Sequence, residues 1–192
     1  MDELVNKKIQ EVLQGNDDAY EDIVLMYQER VYFVCYKILY NAQEAEDAAQ
    51  EAFLRAYMNL EKFDQSRKFS TWIFRIATNL CIDKLRKKKP DYSLDATIPG
   101  TEGMNMYAKM ESEERLPEEK VASMELGEQI QYALQQLPDT YRSAVVLRYM
   151  EERSLKEISE ILELPLNTVK SRVYRGRELL REQLIELERG GE

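Results

Sequence analysis

The sequence predicts an all-α chain: two helical domains joined by an extended acidic linker. Three observations carry that reading. Apolar residues recur at spacings of three and four over long stretches, with no sustained strand-like alternation. Only seven glycines and five prolines punctuate 192 residues. The third is charge, which changes sign abruptly along the chain. Residues 1–61 carry a net charge of −8, residues 62–89 of +7, residues 90–141 of −8 and residues 142–192 of zero. The boundaries expected are a first domain at 1–89, a linker at 90–120 and a second domain at 121–190.

Residues 2–14 place Leu4, Val5, Ile9, Val12 and Leu13 on one helical face, and Gly15 supplies a stop. A second helix spans 18–40, inward through Tyr20, Ile23, Val24, Tyr27, Val31, Val34, Cys35, Ile38 and Leu39, with Asn41 as its break. A third, at 42–60, turns Ala45, Ala48, Ala49, Ala52, Phe53, Ala56 and Tyr57 inward. After a loop at 63–69, Ser70 is expected to cap a helix reaching Lys88, with Ile73, Ile76, Ala77, Leu80 and Leu85 as its core stripe. Pro90 closes that unit.

Residues 90–116 lack any period and read as a linker. Pro117 suits the first turn of a helix over 118–136. Another helix runs from Pro138 to about Glu152. Ser154 and Glu157 form a capping box for a short helix to Leu162. A turn over 163–166 leads to a last helix from Asn167 or Thr168 to about Glu188.

Composition narrows the function. With no histidine, the chain lacks Ser-His-Asp and Cys-His catalysis and His-ligated zinc. Neither a nucleotide-binding loop nor a metal-ligand cluster stands out, so no enzyme, cofactor, metal site or small-molecule substrate is expected. Cys35 and Cys81 fall in apolar patterns and read as core residues of a cytoplasmic protein. The start, Met1-Asp2-Glu3-Leu4, has no basic segment followed by an apolar run, so no signal peptide is expected. No apolar stretch is long enough to span a bilayer.

Two short basic stripes in an acidic chain direct attention to nucleic acid. Phosphate attraction is local, because salt screens charge beyond ~8–10 Å. A stripe can therefore hold DNA while the whole chain repels it, provided something else delivers the protein there. The first stripe interleaves rings with cations: Phe69, Trp72, Phe74 and Arg75 near its start, Asn79, Asp83, Lys84 and Arg86 further on, Lys87, Lys88 and Lys89 at its end. Rings stack on unpaired bases, which favours single strands. Trp72 and Phe69 also fit a packed core, and by residue type the core is the better reading for Trp72.

The second stripe lies in a helix-turn-helix pattern. Leu155, Ile158 and Ile161 line its first helix, Leu164 plugs the turn, and Val169 and Val173 bury the second helix. Lys170, Ser171, Tyr174 and Arg175 are left facing outward, at the width of a major groove. Thr168 and the free amides of the first turn suit a phosphate. Asp47, Gln50 and Glu51 share one face of the alanine-rich helix, either as a solubilising surface or as a dock for a basic helical partner.

Three segments, in order, resemble those of the bacterial extracytoplasmic-function (group IV) sigma factors of the sigma-70 family. Asp47-Ala48-Ala49-Gln50-Glu51-Ala52-Phe53 is similar to the family's segment for binding the polymerase core. Phe69-Ser70-Thr71-Trp72-Ile73-Phe74-Arg75-Ile76-Ala77-Thr78-Asn79 is similar to its promoter-melting and minus-10 segment. The run from Thr168 to Arg177 is similar to its minus-35 recognition helix. Arg67 to Asp95 and Gly100-Thr101-Glu102-Gly103 look most like the sigma-W group of Bacillus-type bacteria.

The resemblance implies a subunit that binds RNA polymerase core, at its clamp and flap, and directs it to promoter DNA. Asp47, Gln50, Glu51 and Phe53 would meet the clamp. Phe63, Lys68, Phe69, Trp72, Asn79, Asp83, Lys84 and Arg86 would serve minus-10 capture and melting, the loop 63–69 and Asn79 holding a flipped base. Thr168, Lys170, Ser171, Arg172, Tyr174 and Arg175 would read the minus-35 element. The acidic linker would thread the polymerase's active-site and RNA-exit channel. A membrane-anchored anti-sigma factor would hold the protein until envelope or antimicrobial stress. Many relatives carry Gly where Asn167 stands. Asn tolerates left-handed backbone, so the turn is expected to survive.

Two rival readings remain open on the residues. One is a duplex-binding regulator that dimerises through 1–89; the other is a helical adaptor without DNA affinity.

Overall fold

The computed structural model describes residues 2–88 and 118–190, so Lys89 and residues 90–117 of the expected linker lie outside the described residues, while 118–120, also assigned to the linker, are helical. The described residues form helices only: α1 Asp2–Leu13, α2 Asp18–Leu39, α3 Ala42–Met58, α4 Phe69–Lys88, α5 Glu118–Gln136, α6 Asp139–Val145, α7 Leu155–Leu162 and α8 Leu166–Gly190. No helix among them is long and apolar enough to cross a membrane.

Most residues of the expected faces are buried, but Leu4, Leu13 and Tyr57, expected to face inward, are exposed. Val5, Ile9 and Val12 of α1 meet the α2 stripe from Ile23 to Ile38. Five small alanines let α3 approach closely, at Ala45, Ala48, Ala49, Ala52 and Ala56. Ile73, Phe74, Ala77, Leu80 and Cys81 fix α4 in the same core, where Ile76 and Leu85 are only partly buried. Cys35 and Cys81 are both fully enclosed. A side-chain hydrogen bond with Cys35, then burial, pushes the Cys81 thiol far above its ordinary pKa, which keeps it an unreactive thiol.

Helix ends explain most departures from the sequence reading. Gly15 stops α1 at φ 96. Asn41 does not end α2; Tyr40 does, in the left-handed region at φ 50. Asn41 instead caps α3, its side chain accepting from the Glu44 amide at 2.9 Å. A 3-10 turn at Leu60–Lys62 follows α3. Ser70 does not cap α4. The helix starts one residue earlier, and Ser70 is buried, its hydroxyl accepting from Arg153 Nη1 at 3.2 Å.

The expected helix from Pro138 to Glu152 divides in two. After α6 the chain widens into a π turn over Val146–Met150 and breaks at Glu152, φ 52. Val146 and Leu147 remain buried while Glu151 comes round to Arg30. The capping box of α7 forms as expected, and α7 ends in left-handed backbone at Glu163, φ 55. Asn167 needs no such conformation, because α8 begins before it, at Leu166. Gly176 is the close approach in the second half: a Cβ there would lie 2.5 Å from Val145 Cγ2.

One apolar core is continuous across the two halves, joining Ala144, Val146, Leu147, Ile158, Ile161, Val169 and Val173 to the first bundle. Charged groups clasp its margin. Arg30 Nη2 reaches Glu151 at 2.6 Å, and Lys68 Nζ reaches Glu157 at 2.9 Å. Phe74 lies between two guanidiniums, Arg30 at 5.6 Å and Arg153 at 4.8 Å from its ring. The buried Arg142 donates to four carbonyls: Leu134 (3.0 Å), Ile38 (2.8 Å), Gln135 (2.7 Å) and Leu137 (2.7 Å). It thereby closes the C-terminal ends of both α5 and α2.

Replacing Arg142 by Ala orphans those carbonyls. The expected loss is about 3 kcal/mol of unfolding free energy, read by urea titration. For Glu157, burial raises the carboxyl pKa, but bonds from Lys68 and from the Ser154 amide and hydroxyl outweigh it and bring it down to about 2. A depressed carboxyl stabilises the fold above its unfolded pKa and loses that contribution as pH falls through the folded value. Glu157→Gln is therefore expected to lower the melting temperature at neutral pH, with the gap from the parent closing between about pH 4.5 and 2. Thermal scans across that window check it.

Candidate nucleic-acid interface

The recognition face of α8 follows from its inner side. Val169 is fully buried and Val173 nearly so. Lys170, Ser171, Tyr174 and Arg175 are exposed, Tyr174 at 60%. Arg172 and Thr168 are partly covered at the sides. Ser171 Oγ donates back to the Asn167 carbonyl at 3.0 Å, which fixes its rotamer. Arg177 stacks over the Tyr174 ring at 5.4 Å. The chain enters α8 through a tight turn in which Ser159 Oγ donates to the Leu164 carbonyl at 2.5 Å. The outer face is a row of cations and hydroxyls on a rigid rod, suited to base edges and phosphates.

The face of α4 is built differently. Phe63, Phe69 and Trp72 form one ring cluster, with centroids 4.9–5.7 Å apart, and Tyr27 adds a fourth ring 5.5 Å from Phe69. Here the sequence expectation needs correction. Phe69 is 1% exposed and Phe63 7%, so neither offers a ring face to a base. They brace Trp72, which is partly exposed at the cluster's margin. Core demand decides this, because the loop before α4 has no other apolar groups with which to close the bundle. The loop is held by Asp64, which accepts from the Ser66 amide and hydroxyl at 3.0 and 2.6 Å; these bonds draw its pKa down.

Asn79, Asp83 and Lys84 are partly exposed along α4, and Arg86 is exposed and paired with Asp83 at 2.9 Å. Arg75, named in the basic stripe but not among the minus-10 residues, is exposed on this same face. It lies one helical turn before Asn79, and both reach Glu163, Arg75 at 2.6 Å and Asn79 at 3.1 Å. The four-residue spacing was the available signal.

A third surface lies on α3. Asp47 and Gln50 are exposed and Glu51 is partly so. Each has a neighbour on its own helix: Gln43 donates to Asp47, Gln50 to Glu46, and Arg55 to Glu51. Phe53 is buried, its ring edging an open groove of about 480 Å³ between α2 and α3. Val24, Gln28, Tyr32 and Ala49 share its lining. The groove's α2 wall was not legible as a site, since its residues follow the ordinary amphipathic pattern.

The Sigma-70 region 2 family model matches residues 23–90, and the Sigma-70, region 4 model matches residues 127–180. The ECF RNA polymerase sigma factor SigW of Bacillus subtilis (strain 168) is 54% identical over 187 residues, covering 97% of this chain and all of that protein. Among solved structures, CnrH in complex with the cytosolic domain of CnrY has a TM-score of 0.66 at 21% identity, over 96% of this chain and 97% of that one. The sigma factor RpoE from Bartonella quintana, in complex with the anti-sigma factor NepR, has a TM-score of 0.62 at 21% identity, over 86% and 96%. Helical order, ring cluster and recognition face thus converge with sequence identity along nearly the whole length: the chain belongs to the extracytoplasmic-function RNA polymerase sigma factors.

Proposed function

We propose that this sigma factor divides promoter recognition between two faces, α4 for separated minus-10 bases and α8 for the minus-35 duplex. The family's role is transcription initiation with RNA polymerase core. The observation that carries the assignment is the row Lys170, Ser171, Tyr174 and Arg175, exposed together over a buried Val169–Val173 seam. Arg175 would take a guanine edge in two places, and Lys170 and Ser171 a base or phosphate. Thr168 lies in the first turn of α8, where free amides favour a phosphate. Arg172 borders the same row.

On α4, Trp72 would stack on a base, Asn79 would bond its edge, and Lys68, Lys84 and Arg86 would hold the backbone. Asp83 positions Arg86. Phe63 and Phe69 act from behind, as support for Trp72. The first domain, 1–89, would dock through Asp47, Gln50 and Glu51, with Phe53 and the α2–α3 groove receiving an apolar side chain of the polymerase clamp. The second domain, 121–190, would sit at the flap, with 90–120 between them. The protein would work in the cytoplasm, without chemistry of its own, under a membrane-anchored anti-sigma factor released by envelope or antimicrobial stress. The likeness of fold to a sigma factor solved with an anti-sigma factor supports control by such a partner.

Two substitutions test the division of labour with purified core polymerase. Arg175→Ala is expected to cost about 1–3 kcal/mol of discrimination between promoters with intact and scrambled minus-35 elements. Run-off transcription measures it, and equal loss on both promoters would refute the role. Asn79→Ala is expected to reduce permanganate reactivity of minus-10 thymines while core binding stays unchanged. A footprint of parental strength would remove Asn79 from strand capture.

A further inference from the structure

The loop between Phe63 and Phe69 is held from two sides. Its own bonds close it into a turn. Asp64 accepts from the Ser66 amide and hydroxyl at 3.0 and 2.6 Å, the Arg67 amide donates to the Asp64 carbonyl at 2.9 Å, and Arg67 Nε lies 3.5 Å from the Asp64 carboxylate. Rings anchor its two ends, Phe63 and Phe69 each packing on Trp72. Gln65 instead reaches off the loop to α1. Asn6 Nδ2 donates to its main-chain carbonyl at 3.3 Å, and Gln10 Nε2 donates to its side-chain Oε1 at 2.8 Å. Asn6 and Gln10 lie one helical turn apart, so α1 grips a single loop residue at two points.

We propose that α1 sets the tilt of the base-holding loop, so that Asn6 and Gln10, acting through Gln65, are positioning residues for discrimination among minus-10 bases. Helix α1 lies ahead of residues 23–90, the stretch matched by the region 2 model. The inference rests on the reading of loop 63–69 as the holder of a flipped base.

The argument is mechanical. A turn closed by its own bonds moves as one rigid piece. Ring anchors at its two ends leave it free to rock about the line that joins them. A third attachment, away from both rings, removes that freedom. Helix α1 can serve as the reference because it is itself fixed. Val5, Ile9 and Val12 are buried, and Lys8 Nζ pairs with Asp22 of α2 at 2.8 Å. The buried seam at 5, 9 and 12 and the gripping pair at 6 and 10 are offset by one residue, so α1 packs with one face and holds the loop with the next. A site that tells bases apart needs its groups placed to within about half an ångström, which a rocking loop cannot supply. Both bonds join neutral groups and Gln10 is exposed, so their loss costs the bundle little stability.

The test uses holoenzyme assembled from the full chain and purified core polymerase. The probes are fluorescein-labelled single strands of the non-template minus-10 sequence, each with one of the four bases at one position. Asp64→Ala opens the turn itself, and the position at which its base preference collapses is the one the loop holds. At that position Asn6→Asp, which sets a carboxylate against the Gln65 carbonyl, is expected to lower the affinity ratio between the preferred base and the others. Gln10→Leu, which removes the second donor at similar size, should do the same. Each loss should be about threefold to tenfold, the worth of one neutral hydrogen bond. Gln10→Lys supplies a donor again and should recover the parental ratio. Lys7→Ala, at an exposed position of the same helix, should leave the ratio as it is. Melting temperature, core affinity and minus-35 discrimination should stay parental in Gln10→Leu, which separates positioning from a general loss of structure and decides the matter if Asn6→Asp unfolds the chain.

Parental base ratios in Gln10→Leu would overturn the role of α1. So would an equal loss of affinity for all four bases, or the same relaxation in Lys7→Ala. The underlying reading fails separately, if Asp64→Ala alters base preference at no minus-10 position.

Discussion

The contact of α7 with α4 is the constraint on which the arrangement of the two halves depends. Helix α4 has two jobs on one rod. Its stripe from Ile73 to Cys81 completes the first bundle. Its remaining surface carries cations, Asn79 and the edge of Trp72. Phe74, fully buried between Arg30 and Arg153, joins the two jobs, because its ring packs into the core and its faces receive guanidiniums from both halves.

The electrostatics follow the same division. The chain is strongly acidic overall, yet its positive charge is gathered on two short helical stretches. In water with cellular salt, only groups within about a Debye length act on a bound strand, so the local sign decides affinity and the total sets the cost of approach. An acidic protein with two basic faces binds DNA poorly alone and well when another body brings it near.

The chemistry of the site lies in rigid helices rather than loops. Val169 and Val173 fix the rotation of α8, Gly176 lets it approach α6 closely, and the capping box of α7 sets the start of the motif. A side chain aimed by a packed helix pays less ordering entropy on binding than one on a mobile loop. The buried Arg142 has the same role for the joint between the halves. Its four carbonyl partners come from α2 and from the α5–α6 corner, so the corner cannot shift without leaving polar groups unpaired.

The amino-acid sequence by itself determined the helices, most of their inward faces and the exposure of Lys170, Ser171, Tyr174 and Arg175, because helical periodicity is a local property written in residues three and four apart. The capping box, the Gly15 stop and the valine seam were readable for the same reason. Helix ends were less so: Tyr40 and Glu163 take left-handed backbone without being Gly or Asn, since packing on either side outweighs their local preference. The π turn after α6 and the burial of Phe63 and Phe69 were decided by tertiary structure, because both depend on which distant surfaces need filling. The seating of Glu157 and Glu163 on Lys68, Arg75 and Asn79 was decided there too. A pairing between residues more than eighty positions apart leaves no periodic trace, and only the folded chain brings those charges together.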